Sequence, residues 1–184
     1  KKSLFQKKSL KILSIGRLTK QKDHITLLKA AKLINPAIKP ELIIIGKGKE
    51  YINLKNFIIS NHLQKIVKLV GYKVDGYNFI KKCDIFVLTS KYEGLPNVLL
   101  EAQFFKKYII SSNCPTGPKE ILLNGKAGDL FKIGDYKKLA EYINNYKLNI
   151  KKIRKKINYG SNMFYRFDYN FNCRKYYKFI LENF

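Results

Sequence analysis

Two carboxylates, Glu93 and Glu101, stand with seven residues between them in TSKYEGLPNVLLEAQFF, Thr89 to Phe105. The first lies in a Gly/Pro turn and the second inside an apolar run. Between Leu100 and Ala102 an unpaired carboxylate is expensive to bury, so Glu101 needs a basic side chain, backbone donors or ligand hydroxyls. A second group comes early in the chain: Gly16 and Arg17 close an apolar run, and Lys22 follows five residues later. Two cations beside a strand end and a helix N-terminus form a clamp for a diphosphate; alone, Lys22 could equally be a solvated lysine. His24 and His62 are lone histidines without a second ligand or an obvious nucleophile, and both read as structural. Cys83, Cys114 and Cys173 are odd in number and far apart, which fits reduced cytosolic thiols and neither a disulfide framework nor a zinc site.

The elements that must hold these residues alternate along the chain. LKILSIG (Leu10 to Gly16), ELIIIG (Glu41 to Gly46), IVKLVG (Ile66 to Gly71), CDIFVLTS (Cys83 to Ser90), YIISSN (Tyr108 to Asn113) and GDLFK (Gly128 to Lys132) read as six strands. Their continuous apolar runs are of the parallel-sheet kind. Helical spacing follows each: a helix from Ile25 stopped by Pro36, then Tyr51 to His62, Tyr77 to Lys82, and a helix that Pro96 opens at its first position. A short helix runs through Leu123, and Asp135 caps one reaching about Tyr146. This alternation predicts an α/β doubly wound parallel sheet, Rossmann-like, in strand order 3-2-1-4-5-6. In such a sheet the loop carrying Glu93 opens onto the ligand crevice. Gly46-x-Gly48 lacks the third glycine and the following acid of a dinucleotide fingerprint.

The 184 residues suit one domain with its own core rather than a whole enzyme, and 46% hydrophobic with 14% aromatic residues excludes disorder. No run has the length of a transmembrane helix, and no signal peptide is expected. The chain starts at Lys1 with its single methionine at Met163, and is expected to be a piece of a longer product. A formal charge of +24 invites a nucleic-acid reading, but only four of the 37 basic residues are arginine, the side chain that base readout favours. A basic surface driven by composition is preferred, with attraction to anionic membrane lipids next. KKIRKKI, with Ile150, Ile153 and Ile157 on one face, is an amphipathic basic helix whose cations face solvent or a membrane surface. A second terminal helix, FDYNFNCRKYYKFILENF, is rich in Tyr and Phe.

The Glu93–Glu101 stretch resembles the acid-x7-acid signature of the retaining GT-B glycosyltransferases of family four, close to S-x-x-E-G-x-P-x-V-x-x-E-A. Ser90, Glu93, Gly94, Pro96, Val98, Glu101 and Ala102 match it. Gly16, Arg17, Leu18 and Lys22 are similar to the family's G-R-L-x-x-x-K element, with Asp23 where Gly often follows. SNCPTGPKEIL resembles S-x-C-P-T-G-P-x-E-I-L of members that extend bacterial surface or lipid-linked glycans, with Glu120 expected as a structural pairing residue. NGKAGDLFKIGD is similar to the closing strand and turn. One departure stands out: Phe104-Phe105-Lys106-Lys107 replaces small-Leu-Gly, implying a strained or shifted helix end or relaxed selection.

The resemblance implies the donor-binding half of an enzyme that moves a sugar from a nucleotide-sugar, UDP expected, onto a surface or lipid-linked glycan with retention of configuration. Gly16, Arg17 and Lys22 would meet the diphosphate, and Glu101 the ribose. Glu93, Gly94, Leu95, Pro96 and Asn97 would meet the donor sugar, with the loop amides through Val98 near sugar and phosphate. Tyr72 and Lys73 would face the base. The two acids are then donor-binding groups, not a hydrolase pair flanking a glycosidic bond. No cofactor and no metal are expected. The implied layout is a linker remnant at 1–9, a nucleotide-sugar-binding domain at 10–149, and C-terminal helices at 150–184. The last of these helices would cross to a separate N-terminal Rossmann-like domain that carries the acceptor site. The chain alone is expected to transfer little or nothing, from a cytoplasmic or peripheral inner-membrane location. Two rival readings stay open: a non-catalytic sugar-nucleotide-binding remnant, and a basic module for anionic lipid or nucleic acid.

Overall fold

In the computed structural model, which describes residues 9–183, the apolar runs form a single six-stranded parallel sheet. The expected linker at 1–9 lies outside the described residues except for Ser9. The strands are β1 (Leu10–Ile15), β2 (Pro40–Ile45), β3 (Val67–Leu69), β4 (Ile85–Leu88), β5 (Tyr108–Ser112) and β6 (Asp129–Phe131), in the order β3-β2-β1-β4-β5-β6. That is the order the alternation predicts. The helices are α1 (His24–Ala31), α2 (Tyr51–Ser60), α3 (Gly76–Lys82), α4 (Asn97–Phe104), α5 (Pro118–Ile121), α6 (Tyr136–Asn144), α7 (Ile150–Asn162) and α8 (Tyr169–Asn183).

Strand residues alternate between two cores, as the two-residue period requires. Ile12, Leu42, Ile44, Val87 and Ile110 pack with Leu27 and Leu28 of α1 and Leu139 and Ile143 of α6. Leu13, Ile43, Ile45, Phe86 and Ile109 pack with Ile80, Leu99, Ala102 and Ile121 on the other face. Each such fully buried side chain contributes roughly 1.5–3 kcal/mol. Because β1 connects outward to β2 while β4 connects outward to β5, the strand order reverses between β1 and β4. The loops after these two strands therefore flank the crevice of the sheet.

Several boundaries differ from the sequence reading, each for a local reason. Pro96 is the extended N-cap of α4 and not its first helical residue, its carbonyl taking the Leu99 amide at 2.9 Å. Helix α2 stops at Ser60, because His62 turns left-handed at φ 55° and cannot extend it. The terminal helix starts at Tyr169 under an Asp168 side chain that accepts the Phe171 amide at 2.8 Å, and Phe167 belongs to the preceding 3-10 turn, Phe164–Phe167. Asp135 does cap α6, accepting the Lys138 amide.

The Phe-Phe-Lys-Lys departure is accommodated without a shift. Lys106 takes the left-handed conformation at φ 53° that a glycine would occupy. Its amide bonds to the Gln103 carbonyl and the Lys107 amide to the Ala102 carbonyl, the two bonds of a Schellman end. Helix α7 packs on the sheet through buried Ile153, and Lys156 Nζ reaches Asp129 at 2.6 Å. None of the described helices is long and apolar enough to cross a membrane.

Candidate functional site

Gly16 continues the sheet past β1, its amide on the Ile45 carbonyl at 3.0 Å, and the chain then turns at Arg17 and Leu18. This turn is seated on the Gly46-Lys47-Gly48 turn after β2. A Cβ on Gly46 would lie 1.9 Å from the Gly16 carbonyl oxygen, and one on Gly48 would lie 2.3 Å from that of Leu18. The two glycines thus let the neighbouring backbone approach, a structural reason for a pattern that is not a nucleotide fingerprint. Arg17 is exposed and its side chain has no hydrogen-bond or ion-pair partner among the described residues.

Lys22 folds back over Gly16, its Cδ 3.4 Å from where a Cβ would be. Its ammonium pairs with Glu93 Oε1 at 2.5 Å, and Ser90 Oγ donates to the same oxygen at 2.5 Å. Further bonds tie the loops after β1 and β4 together. Thr89 Oγ1 donates to the Lys22 carbonyl, the Lys91 amide to the Gln21 carbonyl, and Gln21 Nε2 to the Tyr92 carbonyl. Asp23, where glycine is common in the resembling family, is left-handed at φ 47°; Asp tolerates this region, and its carboxylate accepts from Thr26 Oγ1 at 2.8 Å.

A third loop supports Glu93 from below. Ser112 Oγ donates to the Ser90 carbonyl at 2.6 Å, and Thr116 Oγ1 donates to the Glu93 carbonyl. Gly117, at φ 85°, passes so close that a Cβ would sit 2.0 Å from the Gly94 oxygen. The CPTGP turn is therefore the brace of the Glu93 loop. Sequence reasoning missed this role because the contacts join residues more than twenty apart. Burial, with Glu93's charge second, raises the Cys114 pKa. Thr116 and Gly117 also border an open groove of about 430 Å³ with Lys119 and Arg166 on its wall. Arg166 Nη2 donates to the Glu120 carbonyl, so Glu120 takes part in pairing through its backbone, with its side chain exposed.

Gly94 and Leu95 are exposed in the turn, Pro96 is buried, Asn97 is exposed at the start of α4, and Val98 is partly buried. Glu101 stands one turn further along α4, partly buried. Among the described residues no cation or donor meets its carboxylate, and desolvation raises its pKa. Tyr72 and Lys73 lie exposed after β3, on the far side of β2 from β1. Lys47 Nζ sits 5.6 Å over the Tyr72 ring. The structure thus joins Gly16, Lys22 and Glu93 in direct contact, with Gly94 on the brace. Arg17, Glu101, Tyr72 and Lys73 follow strands at the same end of the sheet, and among the described residues no hydrogen bond or ion pair joins their side chains to that group. His24 is buried with an unpartnered Nδ1, and burial followed by the Lys22 charge lowers its pKa to about 4. All three cysteines are free, and no three described His, Cys, Asp or Glu side chains are grouped to hold a metal.

The family model described as "Glycosyl transferases group 1" matches residues 1–163. An uncharacterized glycosyltransferase of Methanocaldococcus jannaschii is 38% identical over 117 residues, 63% of this chain and 29% of that protein. The Escherichia coli UDP-Gal:alpha-D-GlcNAc-diphosphoundecaprenol alpha-1,3-galactosyltransferase is 34% identical over 164 residues, covering 84% of this chain and 42% of the relative. Anabaena HepE, solved in complex with UDP, superposes with a TM-score of 0.84 at 20% identity, over 96% of this chain and 50% of that one, a likeness of fold. The chain spans less than half the length of these two curated relatives.

Proposed function

Since the chain belongs to the group 1 glycosyl transferases, as a C-terminal domain of the family-four GT-B type, we propose that it is the donor-binding half of a sugar transferase. The donor is a nucleotide-sugar, UDP-linked by preference, and the acceptor a lipid-linked or surface glycan held by a second Rossmann-like domain. The observation that carries this reading is the charge arrangement at the β1/β4 crevice. Lys22 and Glu93 are locked together by three loops, while Arg17, in the loop after β1, and Glu101, on the helix after β4, have side chains without a partner among the described residues.

In this reading Arg17 and Lys22 neutralise the departing diphosphate, aided by the Gly16 backbone, so charge builds on the leaving group against fixed cations. Glu101 accepts from the two ribose hydroxyls, which supply the partner its carboxylate lacks. Glu93 accepts from the sugar, with Gly94, Leu95, Pro96 and Asn97 walling that subsite and the Val98 amide at the positive end of α4. Tyr72 and Lys73 border the base. Configuration is retained, and neither a metal nor a resident cofactor takes part. The domain comprises 10–149 with the helices of 150–184 attached, and alone it transfers little sugar. The exposed cations Lys151, Lys152, Arg154 and Lys155 of α7 support peripheral contact with an anionic membrane face on the cytoplasmic side.

Thermal unfolding with and without nucleotides tests the reading. A ligand at a hundred times its Kd adds about 2.7 kcal/mol of stability, so saturating UDP or GDP is expected to raise Tm by several degrees, and adenosine is not. Equal shifts with any polyanion, abolished by salt, would favour the basic-module reading instead.

A further inference from the structure

Two of the charges in the crevice satisfy each other. Lys22 and Glu93 are paired at 2.5 Å with side chains only 14% and 8% exposed, and Ser90 Oγ shares the same carboxylate oxygen. Thr89 fixes the backbone of the first residue and Thr116 that of the second, so neither partner can drift away as a loop. The exposed Arg17 side chain, by contrast, has no partner among the described residues. A cation needed by a diphosphate is therefore already spent on a carboxylate needed by a sugar.

From this geometry, and resting on the donor-site reading above, we propose that the Lys22–Glu93 pair is a latch that discriminates nucleotide-sugar from bare nucleoside diphosphate. A diphosphate draws the Lys22 ammonium toward its oxygens. With a sugar attached, hydroxyl donors replace the ammonium at Glu93. Without one, the carboxylate is left nearly buried with Ser90 as its single side-chain donor among the described residues, an arrangement that raises the free energy of the complex. The pair thus weakens binding of the product diphosphate relative to the donor and favours product release. Ser90 and Thr116 act as positioning residues for the latch.

The test is calorimetric titration of UDP, UDP-glucose, UDP-galactose and UDP-N-acetylglucosamine into the wild-type chain and Glu93→Gln. The latch predicts that Glu93→Gln binds UDP at least about fivefold more tightly, the lower end of ordinary coupling between sites. It also predicts that the advantage of the best UDP-sugar over UDP collapses. Unchanged or weaker UDP binding in Glu93→Gln, with wild type binding normally, overturns the latch and leaves the donor site standing. Failure of wild type to bind any of the four overturns the donor site and the latch with it. A crystal of the wild-type chain soaked with UDP serves if the variant does not fold. Lys22 Nζ is expected on a phosphate oxygen and beyond about 4 Å from Glu93, the limit of an ion pair; an intact pair beside bound UDP overturns the proposal.

Discussion

Glu101 sits partly buried on α4 without a described protein partner, so its charge is held at the expense of the empty fold. Its pKa is raised, so its contribution to stability is present below the unfolded value and lost as pH rises through the folded one. Glu101→Gln is therefore expected to stabilise the chain slightly at neutral pH, the gain being small because the group is only partly buried. The same change should remove nucleotide binding. Urea unfolding with and without UDP measures both effects, and a destabilised variant would mean that Glu101 serves the fold. His24 has the opposite sign. Its folded pKa of about 4 lies below the usual 6.5, so stability present above 6.5 falls as pH drops toward 4, by roughly 3 kcal/mol in all. His24→Leu should flatten that part of the stability–pH curve.

At the scale of elements, two turns decide whether the crevice forms. Gly117→Ala would push a methyl to 2.0 Å from the Gly94 oxygen at a backbone of φ 85°. We expect it to cost about 2–4 kcal/mol and, where it still folds, to weaken UDP-sugar binding, measured by chemical unfolding and titration. Lys106→Gly relieves a left-handed lysine at the end of α4 and is expected to add about 1 kcal/mol of stability without altering binding. The strands and their order were legible because unbroken apolar runs such as Leu42 to Ile45 have only one use between helices. Helix ends were less so: Pro96 can open a helix either as its cap or as its first residue, and only the bond from the Leu99 amide decides. Glu93, Lys22 and Gly16 were legible as a motif, but their mutual contact was not, since 71 residues separate Lys22 from Glu93. Thr116 and Gly117 carried no visible function for the same reason.

Over the whole molecule, stability is uneven. Helix α8 leaves Tyr169, Tyr176 and Leu181 at 79%, 68% and 65% exposure, and its main packing is on the 3-10 turn before it. Such a helix opens locally at little cost. Brief trypsin treatment is expected to cut first at Arg174, Lys175 or Lys178 and to leave the sheet with α7 intact, read by mass spectrometry; a first cut between β1 and β6 would contradict the account. The charge of +24 is a separate property from the crevice: binding carried by it must fall steeply with salt, whereas binding at Arg17 and Glu101 must depend on those two side chains. Titration of UDP into the wild-type chain, Arg17→Ala and Glu101→Ala at physiological salt separates the two. Saturable one-to-one binding by wild type, lost or reduced at least about tenfold in both variants, is the predicted result. Equal binding by all three chains, or none by a folded wild type, would contradict it.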